Sequence, residues 1–258
     1  MWNDVLTVLL VVSSISLLLG ILLALFIRFF GIEEDEKTKN IRSALPGANC
    51  GACGFKGCDD YAKQLAEGKA EPNLCIPGGA DTASALGEIL GIEVEAASQR
   101  VAVVHCAGGC ERKADYSGIN SCRARAMLYG GPEACTYGCL GCGDCAAACS
   151  IGAISVAGGV ARINRALCMG CGACVSACPR KIISLAPKSA SVGLLCSNKD
   201  RGADAKKACS HACIGCKKCE KNCPSEAIKV INNCAVIDYE KCTGCGLCKD
   251  NCPMGCIK

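Results

Sequence analysis

The apolar residues of this 258-residue chain fall into one long block followed by many short ones. Val5 to Ile27 is a run of 23 uncharged residues, mostly Leu, Val and Ile, long enough to cross a bilayer with some tilt. Met1-Trp2-Asn3-Asp4 offers no positive stretch before it and no A-x-A site follows, so it reads as an anchor rather than a cleaved signal peptide. Asp4 precedes the run, whereas Arg28, Lys37, Lys39 and Arg42 follow it. The positive-inside rule then gives a single-pass protein of a prokaryotic inner (cytoplasmic) membrane, with the soluble part in the cytoplasm. The acidic run Glu33 to Glu36 reads as a solvated linker. Beyond it the apolar stretches shrink to single turns and short strands. Asp59 to Glu67 predicts a short helix stopped by Gly68, and Asp81 or Thr82 is placed to cap an Ala/Leu helix ending at Gly91. Val101 to Val104 predicts a buried strand, and the segments AISV (153–156), IISL (182–185) and AIKV (227–230) predict others.

Such fragments cannot make a large apolar core, and composition explains why none is needed. The chain has 28 Cys but only four Phe, five Tyr and one Trp. Disulfide scaffolds are short and secreted and seldom show strict intervals, so strictly spaced cysteines in a cytoplasmic arm point to metal. Loss of that metal would leave too little burial to offset chain entropy.

Four runs share the form C-x2-C-x2-C-x3-C: Cys139, Cys142, Cys145, Cys149; Cys168, Cys171, Cys174, Cys178; Cys213, Cys216, Cys219, Cys223; and Cys242, Cys245, Cys248, Cys252. Pro179, Pro224 and Pro253 follow three of them, and Ser150 follows the first. This is the bacterial two-cluster ferredoxin pattern, in which the fourth Cys of each run ligates the other run's [4Fe–4S] cluster. The expected sets are Cys139, Cys142, Cys145 with Cys178, and Cys168, Cys171, Cys174 with Cys149. The second pair is Cys213, Cys216, Cys219 with Cys252, and Cys242, Cys245, Cys248 with Cys223. Cys139 and Cys213 stand 74 residues apart, as do Cys168 and Cys242, so the whole ferredoxin is duplicated in tandem.

A fifth set precedes these. The string LPGANCGACGFKGC supplies Cys50, Cys53 and Cys58, and Cys75 follows before Pro77-Gly78-Gly79. Zinc modules usually pair two separated C-x2–4-C knuckles, which this spacing does not do. Its glycines allow a tight wrap that points amide N–H groups at sulfur. The architecture expected is α+β: anchor (1–30), [4Fe–4S] module (31–80), connecting segment (81–121) and ferredoxin repeats (122–192 and 193–258).

Eight cysteines remain. The offset maps Cys122 onto Cys196 and Cys135 onto Cys209, and a tentative sixth cluster would use these four. The rival grouping is local: Cys106, Cys110, Cys122 and Cys135. Reduced structural thiols are the plain alternative. Cys234 and Cys256 map onto apolar positions and read as buried fillers. Cys135-x3-Cys139-x2-Cys142 and its copy match the spacing of radical S-adenosylmethionine enzymes, but no barrel of alternating strands and helices accompanies them. His105 and His211, the only histidines, read as surface or turn residues.

The formal charge of +4 would point to nucleic acid or anionic lipid, yet it counts each Cys as neutral. Five clusters at −2 each bring the loaded protein to about −6. There is also no basic–aromatic interleaving. No G-x-G-x-x-G after a strand, no Walker loop and no Ser/His/Asp arrangement is found, so neither flavin nor nucleotide and no catalytic site is expected. What remains is one-electron transfer.

The order of one membrane helix, the LPGANCGACGFKGC module closed by Cys75, then ferredoxin runs, resembles the B subunit of the Rnf complex over essentially the whole chain. The resemblance implies an electron-transfer component of an ion-translocating ferredoxin oxidoreductase, coupling electron flow from reduced ferredoxin to Na⁺ or H⁺ export. Partners implied are ferredoxin as donor and the membrane and flavin subunits of the complex, commonly toward NAD. Cys50, Cys53, Cys58 and Cys75 would hold the membrane-proximal cluster, and the ferredoxins the receiving end. The simplest members carry one ferredoxin domain where this chain has two. A similar module in corrinoid iron–sulfur proteins comes with a corrinoid-binding barrel and no anchor. Alternatives are an anchored polyferredoxin feeding a membrane hydrogenase or quinone reductase, and a cluster protein with a structural role.

Overall fold

The computed structural model describes residues 2–30, 35–95 and 98–258, so Met1 and half of the acidic linker (Glu33 and Glu34) lie outside the described residues. Helix α1 (Trp2–Phe30) contains the uncharged run. Its hydroxyls do not disturb it, because Ser13 and Ser14 donate to the carbonyls of Leu10 and Val11 at 3.0 and 2.9 Å. Val5 to Phe26 is long and apolar enough to cross a membrane, and none of the described residues packs over it.

The first module has three helices. Asp35 caps α2 (Glu36–Ala44) by accepting the Lys37 N–H, and α3 (Cys58–Ala66) starts directly on a module cysteine. Then α4 (Gly79–Leu90) closes at Gly91, whose φ of +70° is the left-handed stop its sequence predicts. Their shared core is Ile41, Leu45, Tyr61, Ala62, Leu65 and Leu86. Tyr61 is fully buried and donates its hydroxyl to the Glu71 carbonyl at 2.7 Å. Helix α4 departs from expectation twice. It starts at Gly79 rather than at an Asp81 or Thr82 cap, since Thr82 is buried and spends its hydroxyl on the Ala44 carbonyl. And residues 79–90 belong to the module rather than to a connecting segment, because Leu86 fills its core.

The first ferredoxin repeat reaches back further than expected. Strand β1 (Arg100–Val104) pairs antiparallel with β4 (Ile183–Pro187), Val104 opposite Ile183. Between them lie α5 (Cys122–Met127), α6 (Asp144–Ala147), the hairpin β2 (Ile154–Ala157) and β3 (Val160–Ile163), and α7 (Ala173–Ala177). The second repeat contains α8 (Gly202–Ala208), α9 (Lys218–Lys221), the hairpin β5 (Ile228–Ile231) and β6 (Cys234–Ile237), and α10 (Leu247–Asp250). The two hairpins share one register, Ile154 opposite Ile163 and Ile228 opposite Ile237. Their turns are Gly158-Gly159 and Asn232-Asn233, all four at positive φ, as a two-residue turn matching strand twist requires. In the second repeat the partner of the chain end is Leu194, which bridges Ile257. Residues 192–195 therefore occupy the place β1 has in the first repeat.

Each repeat has its own small core, one around Val104, Ile154, Val160 and Ile183, the other around Leu194, Ile228, Ala235 and Ile257, with cysteines packed into both. Leu86→Ala should cost about 2–5 kcal/mol. Denaturant melts should show the first module loosening while the ferredoxin repeats keep their stability; equal loss in both would contradict a module that includes α4.

Candidate iron–sulfur sites

The module cysteines meet around one point. Burial raises the Cys75 thiol pKa, and Cys58, Cys53 and Cys50 raise it further by proximity. Positive φ at Gly47, Gly51 and Gly54 gives the loop its curl. Asn49 accepts the Cys58 N–H at 2.8 Å, fixing the junction of loop and α3.

In the second repeat, Cys213, Cys216, Cys219 and Cys252 line one cavity. Cys248 has Cys242 and Cys223 as its neighbouring sulfurs. In this repeat Cys252 thus lies beside the cysteines of the first run, and Cys223 beside those of the second. In the first repeat, Cys174 neighbours Cys168 and Cys171, and Cys149 packs against the same core. The remaining site departs from expectation: its cavity is lined by Cys122, Cys139, Cys145 and Cys178. Cys142 donates to the Leu140 carbonyl at 3.6 Å, and burial, with Cys122 close by, raises its thiol pKa. Backbone amides support the first sulfur of each repeat alike. Gly141 and Ala161 donate to Cys139, Gly215 and Ala235 to Cys213, positions 74 apart in each case.

The tentative grouping of Cys122 with Cys135, Cys196 and Cys209 is not what the structure brings together. Cys135, Cys196 and Cys209 line one cavity with Cys106 and Cys110, while Cys122 lies in the first ferredoxin site. The local rival grouping fails at the same residue. The radical-enzyme spacing is not realised either, since Cys135 joins Cys110, Cys209 and Cys196 while Cys139 stays with its run. Cys234 and Cys256 are buried, as fillers would be. Cys234 donates its S–H to the Cys196 carbonyl at 3.5 Å, and Cys256 lies 3.5 Å from Cys252. His105 is not a surface residue. Its ring links the Leu194 carbonyl and the Ser184 hydroxyl, both at 2.7 Å, tying the two repeats together, whereas His211 is exposed.

These donor sets fit iron–sulfur cubes. Sulfurs converge in groups, and N–H groups point at them. Among the described residues, no three His, Cys, Asp or Glu side chains close around a single metal ion. A cube spreads its ligands wider.

Comparison with known proteins agrees. An Fe-S cluster family model matches residues 45–77, two 4Fe-4S dicluster models match 138–182 and 167–227, and a 4Fe-4S binding model matches 235–258. The chain is 42% identical to the B subunit of the Na(+)-translocating ferredoxin:NAD(+) oxidoreductase complex of Acetobacterium woodii, over all of this chain and 78% of the relative. It is 40% identical to the B subunit of the ion-translocating oxidoreductase complex of Methanosarcina acetivorans, over 90% of this chain and 89% of the relative. It is 42% identical to the B subunit of the proton-translocating ferredoxin:NAD(+) oxidoreductase complex of Clostridium ljungdahlii, over 92% of this chain and 85% of the relative. The chain belongs to the family of Rnf complex B subunits. It is part of an oxidoreductase rather than a stand-alone catalyst, built from one apolar helix and several ferredoxin-type [4Fe–4S] domains.

Hydrogen bonds to ligand sulfur help set a cluster's potential. Cys256 lies 3.5 Å from the Cys252 sulfur, within hydrogen-bond reach of it. Cys256→Ala should therefore keep the iron content but move one cluster to a more negative potential in an EPR-monitored redox titration. An unchanged set of potentials would show that the thiol only fills space.

Proposed function

We propose that the chain accepts electrons from reduced ferredoxin and relays them to membrane and flavin subunits of an ion-translocating complex, commonly toward NAD. The observation that carries this reading is the string of separate cysteine sites along one arm attached to an apolar helix. The relatives from Acetobacterium woodii and Clostridium ljungdahlii are named for ferredoxin:NAD(+) oxidoreductases, which supports it. Their names differ in the ion, sodium in one and proton in the other, so the coupling ion is left open.

Five [4Fe–4S] clusters are assigned to these sites. The module cluster takes Cys50, Cys53, Cys58 and Cys75. The first ferredoxin takes Cys139, Cys145 and Cys178 with one sulfur of the Cys122–Cys142 pair, and Cys168, Cys171, Cys174 with Cys149. The second takes Cys213, Cys216, Cys219 with Cys252, and Cys242, Cys245, Cys248 with Cys223. The shared register of the two hairpins and the amide donors repeated 74 residues apart support the tandem arrangement. Bound clusters supply one-electron transfer at low potential, on the order of −400 mV for ferredoxin-type sites. The chain's residues hold them, shield most of them and orient N–H dipoles toward their sulfurs.

Arg28 ends α1, and Lys37, Lys39 and Arg42 follow it, which supports a cytoplasmic arm. Of the twenty-eight cysteines only Cys216 and Cys245 are exposed, and Cys216 is flanked by exposed Lys217, Lys218 and Lys221. That basic rim favours encounter with a negatively charged electron donor.

Cys53→Ala should leave the ferredoxin clusters reducible by ferredoxin while transfer to the membrane partners stops. Rapid-mixing spectroscopy of the purified complex separates the two steps. Onward flow at the wild-type rate would remove the module cluster from the path.

A further inference from the structure

Five cysteines line the cavity between the two ferredoxin repeats, and they come from three segments: Cys106 and Cys110, Cys135, and Cys196 with Cys209. Backbone pairing builds the cavity, with Cys110 bridging Cys209 in antiparallel fashion. Its sulfurs are supplied with donors as the ferredoxin ligands are. Cys110 accepts the Cys135 N–H at 2.9 Å. Cys196 accepts the N–H of Cys213 at 3.2 Å and of Asn198 at 3.4 Å. Asn198 is 1% exposed and turns its side-chain amide to Cys135 at 3.5 Å. Tyr137 donates its N–H to Cys135 and His211 to Cys209, again 74 residues apart and again two residues beyond the sulfur. Thiols that merely fill space have no need of such a cradle. Of the five, Cys110 neighbours both Cys135 and Cys209, whereas Cys106 neighbours Cys209 and Cys139, the first cysteine of the first ferredoxin run.

We propose that Cys110, Cys135, Cys196 and Cys209 hold a sixth [4Fe–4S] cluster between the two ferredoxin repeats. This rests on the reading that convergent cysteines of this chain ligate clusters. Cys135 and Cys209 each stand four residues before the first ligand of a repeat, so the site joins the two ferredoxins into one continuous conductor.

The test is the full chain, reconstituted anaerobically with ferrous iron and sulfide, with iron, sulfide and zinc counted per chain. About 24 iron atoms are expected, four for each of six sites. About 20 iron atoms, with or without one zinc, overturns the proposal. Cys209→Ala and Cys110→Ala should each lose about four iron atoms and keep the signals of the other clusters, whereas Cys106→Ala keeps the wild-type count. If Cys209→Ala misfolds and loses more, Cys110→Ala decides, and the wild-type count stands without either. A wild-type count in Cys110→Ala, or a loss in Cys106→Ala, overturns the ligand set. Counting iron does not depend on ferredoxin, so failure here leaves the electron-transfer reading intact.

Discussion

Bringing thiolates from separate stretches of chain to one point, with amide N–H groups directed at several of them, is the constraint from which the rest of this structure follows. Four like charges in a small space repel one another, and they persist only where metal and oriented dipoles answer them. That demand keeps the elements short. Helices α6, α7, α9 and α10 are four or five residues long, and each carries one ligand cysteine on a single turn. Three of them begin at a glycine in the left-handed region, and the fourth at Lys217, where φ is +59°. Chain that must wrap a cube cannot run on into regular structure.

With elements so short, burial alone is a weak source of stability. The cores of the repeats are mainly Ala, Val, Ile and Cys, and the largest fully buried side chain, Tyr61, lies in the first module. Metal crosslinks close the loops between ligands and take over the role that large apolar side chains have in ordinary domains. The first module is intermediate, with three helices of ordinary length packed around Tyr61 and Leu86 and one cysteine site at their edge.

The two repeats are alike where sulfur is held and different where they meet their surroundings. The hairpin register, the turn positions and the amide donors to Cys139 and Cys213 are common to both. The exchange of Asp144 for Lys218 is a difference with consequences on both sides. In the first repeat it anchors α5 and its cysteine over the site; in the second it leaves Cys216 open among lysines. His105 between Leu194 and Ser184, and Ser197 donating to the Tyr137 carbonyl, then hold the repeats against each other.

Local spacing was enough to place the apolar run, the curl around Cys50 to Cys58, the helix stop at Gly91, and the four ferredoxin runs with their offset of 74. Ligands two or three residues apart lie within one turn of chain, so their grouping is readable without a fold. Cys122, Cys135, Cys196 and Cys209 were visible as duplicated cysteines, but their partners were not. The counterpart of Cys196 in space is Cys106, since Val104 pairs with Ile183 as Leu194 pairs with Ile257. Extra residues between Cys106 and Cys135 hide that equivalence from a constant offset. Likewise the attachment of α4 to the first module rests on Leu86 finding Tyr61, and the role of Asp144 on a carboxylate meeting amides more than twenty residues away. Such pairings exist only in the folded chain, because they are made by packing between segments whose separation in sequence carries no period.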